Sequence, residues 1–194
     1  LKTVVYDKMI FFKYNNTHYV HDYELFEREI KVLHPHLLST QVTEVVKQCR
    51  LMSELIDVTT FPINVKNGHL IDGEFIPIQY SDFTPFYIDI DYNPDAEVNE
   101  TVEAMLDHIT GGDADYRQYV LEMCAYPLIY DLEFKSHMAC FFILVGNGSN
   151  GKGTLVKYLK HIYGKRNSTD MSIDQLTDRT MLASGKNKLI NCGD

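Results

Sequence analysis

Apolar and polar positions along the chain fall into three kinds of pattern. Residues 4–20 alternate, and the segments Ile10–Tyr14 and Thr17–Val20 are rich in aromatic and β-branched residues around Asn15-Asn16. That combination predicts a β-hairpin with a tight turn. From Asp22 the period lengthens. Asp22 is placed to cap a helix running to about Leu33, before Pro35, and Ser39 or Thr40 to cap a second helix with Val42, Val45, Val46 and Cys49 on one face. Alternation returns over 61–80, where the turn dipeptides Asn67-Gly68 and Asp72-Gly73 separate Ile63, Val65, Leu70, Ile71, Phe75 and Ile78, and extended chain continues through Phe86, Ile88 and Ile90. Helical spacing resumes at Val98 with Val102, Met105, Leu106 and Ile109 and stops at Gly111-Gly112. Asp113 then opens another helix carrying Tyr116, Tyr119, Val120, Met123 and Cys124 up to Pro127.

The third pattern is a continuous apolar run. Ala139–Val145 reads as a strand buried on both faces, as in the centre of a parallel sheet. Leu155, Leu159 and Ile162 then mark an amphipathic helix ending near Gly164, and Asn187–Cys192 a short strand closed by Asp194.

The chain has 194 residues, of which 45% are hydrophobic and 23% charged. That composition belongs to a folded domain with a core and excludes a disordered chain. The longest apolar run, Met138–Val145, is too short to span a bilayer, and no basic segment followed by an apolar one opens the chain. Cys49, Cys124, Cys140 and Cys192 form no CxxC, and no histidine spacing suits zinc. Free thiols in a reducing, cytoplasmic setting follow. The opening Leu1 and the strand running out at Asp194 suggest a piece of a longer protein.

Charge is uneven: the net is −9 overall, but +1 over 1–53, −15 over 54–133 and +5 over 134–194. A polyanion is repelled by the middle block and tolerated at the ends. A hairpin followed by two helices in the slightly basic segment 1–57 suggests a small winged-helix-like unit.

Between the apolar run and its helix lies Gly146-Asn147-Gly148-Ser149-Asn150-Gly151-Lys152-Gly153-Thr154. Strand, glycine-rich loop, lysine and helix in this order form a P-loop. Glycines let successive N–H groups turn toward phosphate oxygens, the helix N-terminus adds partial positive charge, and Lys152 reaches the β- and γ-phosphates. One position departs from the motif: the hydroxyl residue that holds Mg²⁺ directly after the lysine is Gly153 here. Thr154 comes one residue later, about 100° further round the helix. Asp194, at the end of the last strand, is the candidate acidic partner for the metal and its water.

The loop resembles the Walker A loop of superfamily 3 helicases, especially the phage and plasmid primase–helicases related to the poxvirus primase–helicase, in which Asn150 before Gly-Lys is typical. Ile63–Gly68 through Phe83 and Asp91-Tyr92-Asn93-Pro94-Asp95-Ala96 resemble the domain that precedes the helicase in that family. The resemblance implies ATP and Mg²⁺ as cofactors, a homo-hexamer translocating on single-stranded DNA at a replication fork, and no membrane. Gly146–Thr154 would cradle the nucleotide, Thr154 and Asp194 the metal, and Lys152 and Asp194 would take the Walker roles. It divides the chain into a pre-helicase domain (1–96), a helical linker or collar (97–135) and a truncated P-loop domain (136–194). The expected fold is α/β, with a mixed α+β N-terminal block of hairpins and short helices followed by the start of a P-loop AAA+ parallel sheet. Residues beyond Asp194 would supply the sensor and arginine finger, so this piece alone is expected to be inactive as an ATPase. Two other readings fit the loop: a nucleoside monophosphate kinase, whose P-loop also carries Gly-Lys-Gly-Thr, and a non-hydrolysing P-loop module that stabilises an oligomer.

Overall fold

A computed structural model describes residues 1–15, 17–71, 73–77, 83–138, 140–148 and 150–193. The fold is mixed α and β, with hairpins and helices first and a small parallel pair of strands near the end.

Strands β1 (Thr3–Tyr6), β2 (Met9–Tyr14) and β3 (His18–Val20) form an antiparallel meander, and helices α1 (Tyr23–Leu33) and α2 (Ser39–Met52) follow. Strand β4 (Glu54–Ile56) returns parallel to β1, giving the order β3-β2-β1-β4. Asp7 and Lys8 both adopt positive φ, as a two-residue hairpin turn requires. Asn15 is also left-handed, while Asn16 lies outside the described residues. Asp22 caps α1 as expected, its carboxylate accepting the Leu25 N–H at 2.9 Å. The second cap differs. Leu38 takes the N-cap position and Ser39 is already helical, because the Gln41 side chain reaches back to accept the Leu38 N–H at 2.8 Å.

This sheet is buried on both faces. Val5, Ile10 and Phe12 pack on Phe26 and Ile30 of α1 and Val42 and Val46 of α2. On the other face Val4, Phe11 and Tyr19 meet Phe83 and Ile56. The run Ile10-Phe11-Phe12 is therefore apolar throughout, since both sides of β2 need cover.

The second sheet has the order β7-β6-β5-β8, from β5 (Ile63–Val65), β6 (Gly68–Ile71), β7 (Glu74–Pro77) and β8 (Tyr87–Ile88). Its first turn is displaced by one residue from the dipeptide that the sequence suggests. Val65 pairs with Gly68, so Lys66-Asn67 form the turn and Gly68 opens β6. Close approach demands that glycine: a Cβ there would lie 2.3 Å from the Ile76 carbonyl oxygen and 2.6 Å from the Phe75 ring. Asn67 clamps the following extended segment, donating to the Tyr92 carbonyl at 2.7 Å and accepting the Tyr92 N–H at 2.9 Å. Asp72 and Ile78 lie outside the described residues.

Helices α3 (Glu100–Thr110) and α4 (Ala114–Ala125) form an antiparallel pair joined by Gly111-Gly112, both with positive φ. Asn99 and Asp113 cap them. Arg117 ties the pair together, bonding Glu103 at 2.6 Å and Asp107 at 3.0 Å. A 3₁₀ turn at Tyr126–Leu128 carries Pro127 and ends α4, and α5 (Leu132–His137) follows.

The segment after α5 departs from expectation. Cys140–Val145 is not a strand, and Ala139 lies outside the described residues. Phe141, Ile143 and Val145 are 82%, 73% and 84% exposed, and Phe142 and Leu144 only partly covered. A strand exists only through ladder hydrogen bonds to a neighbour, and no described strand runs alongside this one. An apolar run states a need for cover but does not supply it.

Helix α6 (Lys152–Asn167) is broken at Gly164 (φ 74°, ψ 160°), the position where the sequence pattern stops. Strand β9 (Ser168–Thr169), helices α7 (Ile173–Leu176) and α8 (Arg179–Ala183) and strand β10 (Ile190–Asn191) follow. β9 and β10 pair in parallel, so the strand read from Asn187–Cys192 is present, though short. Tyr163 and Leu189 join Phe61, Ile63, Val65, Phe86 and Ile88 in one apolar cluster, which carries packing from the second sheet to α6 and the segment before β10.

Candidate functional site

The start of α6 is fixed from below. Leu155, 2% exposed, is buried among Leu106 of α3 and Val120 and Met123 of α4. Gly151, the N-cap, has φ 86°, and a Cβ on it would lie 2.9 Å from the Ile109 side chain. Only glycine meets both demands, the left-handed backbone and the close approach to α3. The Leu155 N–H donates to the Gly151 carbonyl at 2.9 Å as the first helical bond. The N–H groups of Lys152, Gly153 and Thr154 precede that bond and have no acceptor within the helix, so they are available to an anion at the loop.

Lys152 folds back over the loop. Its ammonium donates to the Gly146 carbonyl at 2.8 Å, the Asn147 carbonyl at 3.1 Å and Asn150 Oδ1 at 2.6 Å. Gly146 makes room for this: a Cβ there would lie 2.2 Å from Asn150 Nδ2 and 3.2 Å from Lys152 Nζ. The lysine is held by neutral oxygens that a phosphate can replace, without breaking an ion pair. Gly148 and Gly153 have open space where a Cβ would stand. Packing therefore does not explain why Gly153 replaces the usual hydroxyl residue. Thr154 is exposed on the first turn of α6.

The fold thus brings Gly146, Asn147, Asn150, Gly151 and Lys152 into one small cradle. Ser149 and Asp194 lie outside the described residues. Of the pair expected to hold Mg²⁺, Thr154 alone is described, and no group of three or more His, Cys, Asp or Glu among the described residues is arranged to hold a metal. The cradle fits phosphate oxygens, while its described donor set does not define a metal site.

The Tyr-Asn-Pro-Asp-Ala segment forms a local turn, with Asn93 Oδ1 accepting the Asp95 N–H at 3.0 Å and the Asn93 carbonyl the Ala96 N–H at 3.3 Å. It contributes no side chain to the cradle.

A second feature has no signal in the sequence. At the Gly164 break, an open cleft of about 350 Å³ lies between β3, β8 and α6. His18 and Tyr87 stack across it, ring centroids 4.0 Å apart and planes 5° from parallel. Arg166 donates to the Tyr19 carbonyl, and Asn167 Nδ2 donates to the Tyr87 carbonyl at 2.7 Å. Burial, then the Arg166 charge, lower the His18 pKa to about 4 against a weaker opposing pull from Asp89. Burial lowers that of Arg166 to about 10. These residues come from three distant parts of the chain, and none stands in a motif.

Compared with protein-family models and with curated proteins, the chain matches none. Among the described residues, no helix is long and apolar enough to cross a membrane.

Proposed function

We propose that this chain contributes the ATP-binding loop of a DNA helicase of the superfamily 3 type, acting on single-stranded DNA at a replication fork as part of a homo-hexamer. The observation that carries the reading is the position of Lys152. It is the first residue of α6, its ammonium is held among the described residues by exchangeable loop oxygens, and the first-turn N–H groups without an acceptor in the helix lie beside it. In this reading the triphosphate displaces the Gly146 and Asn147 carbonyls from Lys152, which then neutralises charge building on the β- and γ-oxygens. Gly151 keeps the loop backbone turned toward the phosphates. In this reading Thr154 and Asp194 would be the residues to hold Mg²⁺, which would supply further charge neutralisation. The choice of helicase over other P-loop proteins rests on the resemblance of the loop and of the Asp91–Ala96 segment.

The test is direct. A fluorescent ATP analogue should bind the chain in the presence of Mg²⁺, and Lys152→Ala should weaken binding by at least about tenfold, the loss of one charge-assisted contact. The melting temperature should stay unchanged, because Lys152 fills no core space. Equal binding by the variant would refute the phosphate role. DNA-stimulated ATP hydrolysis by the protein that carries this chain would favour a helicase, and phosphate transfer to a nucleoside monophosphate would favour a kinase.

A further inference from the structure

Among the described residues, the Lys165 and Arg166 side chains that line the cleft at the Gly164 break have no carboxylate partner. Arg166 is half-buried, and its guanidinium donates to a neutral carbonyl, that of Tyr19. No carboxylate pairs with it among the described residues. Lys188, half-buried beside Arg166 but outside the lining of this cleft, donates its ammonium to the Arg166 carbonyl at 2.5 Å and has no described carboxylate partner. The Arg166 charge, after burial, lowers the Lys188 pKa. Lys165 stands exposed at the rim. Asp89, the acidic residue of the cleft, is engaged elsewhere: it lies 3.5 Å from the Lys66 ammonium and accepts the Tyr87 hydroxyl at 3.2 Å. Two neighbouring cations withdrawn from water without counter-charge cost free energy unless an anion joins them. Beside them, the His18–Tyr87 stack offers a flat aromatic surface, the other half of what a nucleotide unit needs.

We propose that this cleft binds a stretch of single-stranded DNA, with Arg166 and Lys165 taking a phosphodiester and the His18–Tyr87 pair lying against the adjacent base. The site is separate from the P-loop cradle, at the opposite end of the first segment of α6. The choice of a DNA strand over a free nucleotide, which offers the same phosphate and base, rests on the helicase reading above. The cationic side chains, Lys165 and Arg166, come from the segment with a net charge of +5, while Tyr87 and Asp89 come from the acidic middle segment.

Fluorescence anisotropy of a labelled oligothymidylate about 12 nucleotides long, titrated with the 194-residue chain, tests the site. Lys165→Glu and Arg166→Gln should each weaken binding by about five- to tenfold and flatten the salt dependence by about one unit of slope. Tyr87→Ala should weaken binding with little change in slope, as expected for a stacking contact. Lys165 is exposed, so its variant keeps the test decisive if Arg166→Gln unfolds. Wild-type affinity in Lys165→Glu would overturn the proposal, as would no binding by the unmodified chain. Displacement of the oligonucleotide by equimolar thymidine monophosphate would overturn the strand assignment in favour of a free nucleotide. Lys152→Ala should leave oligonucleotide binding intact, so a failure of the ATP reading and a failure of this one give different results. If Lys152→Ala abolished oligonucleotide binding, the strand would lie on the loop instead of the cleft.

Discussion

Two aromatic segments of this chain have nearly the same composition and opposite fates. Ile10-Phe11-Phe12 in β2 is buried, and Phe12 stacks on Phe26 with ring centroids 4.7 Å apart. Phe141-Phe142-Ile143 belongs to no strand or helix, with Phe141 and Ile143 mostly open to solvent. The difference lies in the neighbours. β2 has β1 and β3 bonded along its two edges and apolar residues against both faces, whereas 140–145 has no described strand beside it. Apolar side chains contribute to stability only where other elements remove them from water, and β-structure forms only where the edges are paired.

The first way to break this comparison is to delete a side chain at its buried end. Phe26→Ala removes a fully buried ring from the cluster of Phe12, Ile30 and Val46. A loss of about 3–5 kcal/mol is expected, as for other large-to-small changes of buried aromatics. Urea unfolding followed by circular dichroism measures it. A loss below about 1 kcal/mol would mean that the helices α1 and α2 are not packed on the sheet as described.

A smaller effect sharpens the comparison at the seam between the first sheet and α6. His18 has a folded pKa of about 4, below its unfolded value near 6.5. The unfolded chain therefore binds more protons than the folded one between these values. Stability contributed by neutral His18 is fully present above pH 6.5 and is lost as pH falls toward 4. The ring is partly open to water, so screening reduces the effect to about 1 kcal/mol. His18→Gln should flatten the pH dependence of the urea midpoint over pH 4–6.5. An unchanged slope would mean that the His18–Tyr87 stack does not hold in solution.

The legibility of the chain follows from the range of the forces involved. Local devices could be read directly: the Asp22 and Asp113 caps, the Gly111-Gly112 stop, the break at Gly164 and the glycine-lysine loop each depend on a few adjacent residues. Ser39 or Thr40 was a reasonable cap by residue type, but the Gln41 side chain selected Leu38 through a bond three residues away. The Asn67-Gly68 turn shifted because Gly68 is required by β7, an element outside its own hairpin pair. Long-range features were not readable. Neither the pairing of β1 with β4 nor the meeting of His18, Tyr87 and Arg166 leaves any periodic trace. Within the candidate site the turn at Gly151 and the helix that starts at Lys152 are legible from local chemistry, while Ile109, which fixes Gly151, reads only as one position on a helix face.

The exposed end of the comparison yields the smallest effect. Phe141, Ile143 and Val145 alternate with the less exposed Phe142 and Leu144, and each is more than seven-tenths open to water. Substituting any one of them by serine removes almost no burial, so folding stability should change by no more than about 0.5 kcal/mol. Solubility should respond more than stability, because an open row of apolar side chains on an unpaired segment favours association between molecules. The double variant Phe141→Ser/Ile143→Ser should therefore unfold at the same urea concentration as the unmodified chain while scattering less light at high protein concentration. The partly covered positions provide the internal control. Phe142 lies 6.2 Å from the Tyr126 ring and 6.3 Å from that of Tyr119, so Phe142→Ser should cost more than either neighbour. If Phe141→Ser were as damaging as Phe142→Ser, both positions would be packed in solution, and the contrast with β2 would not hold.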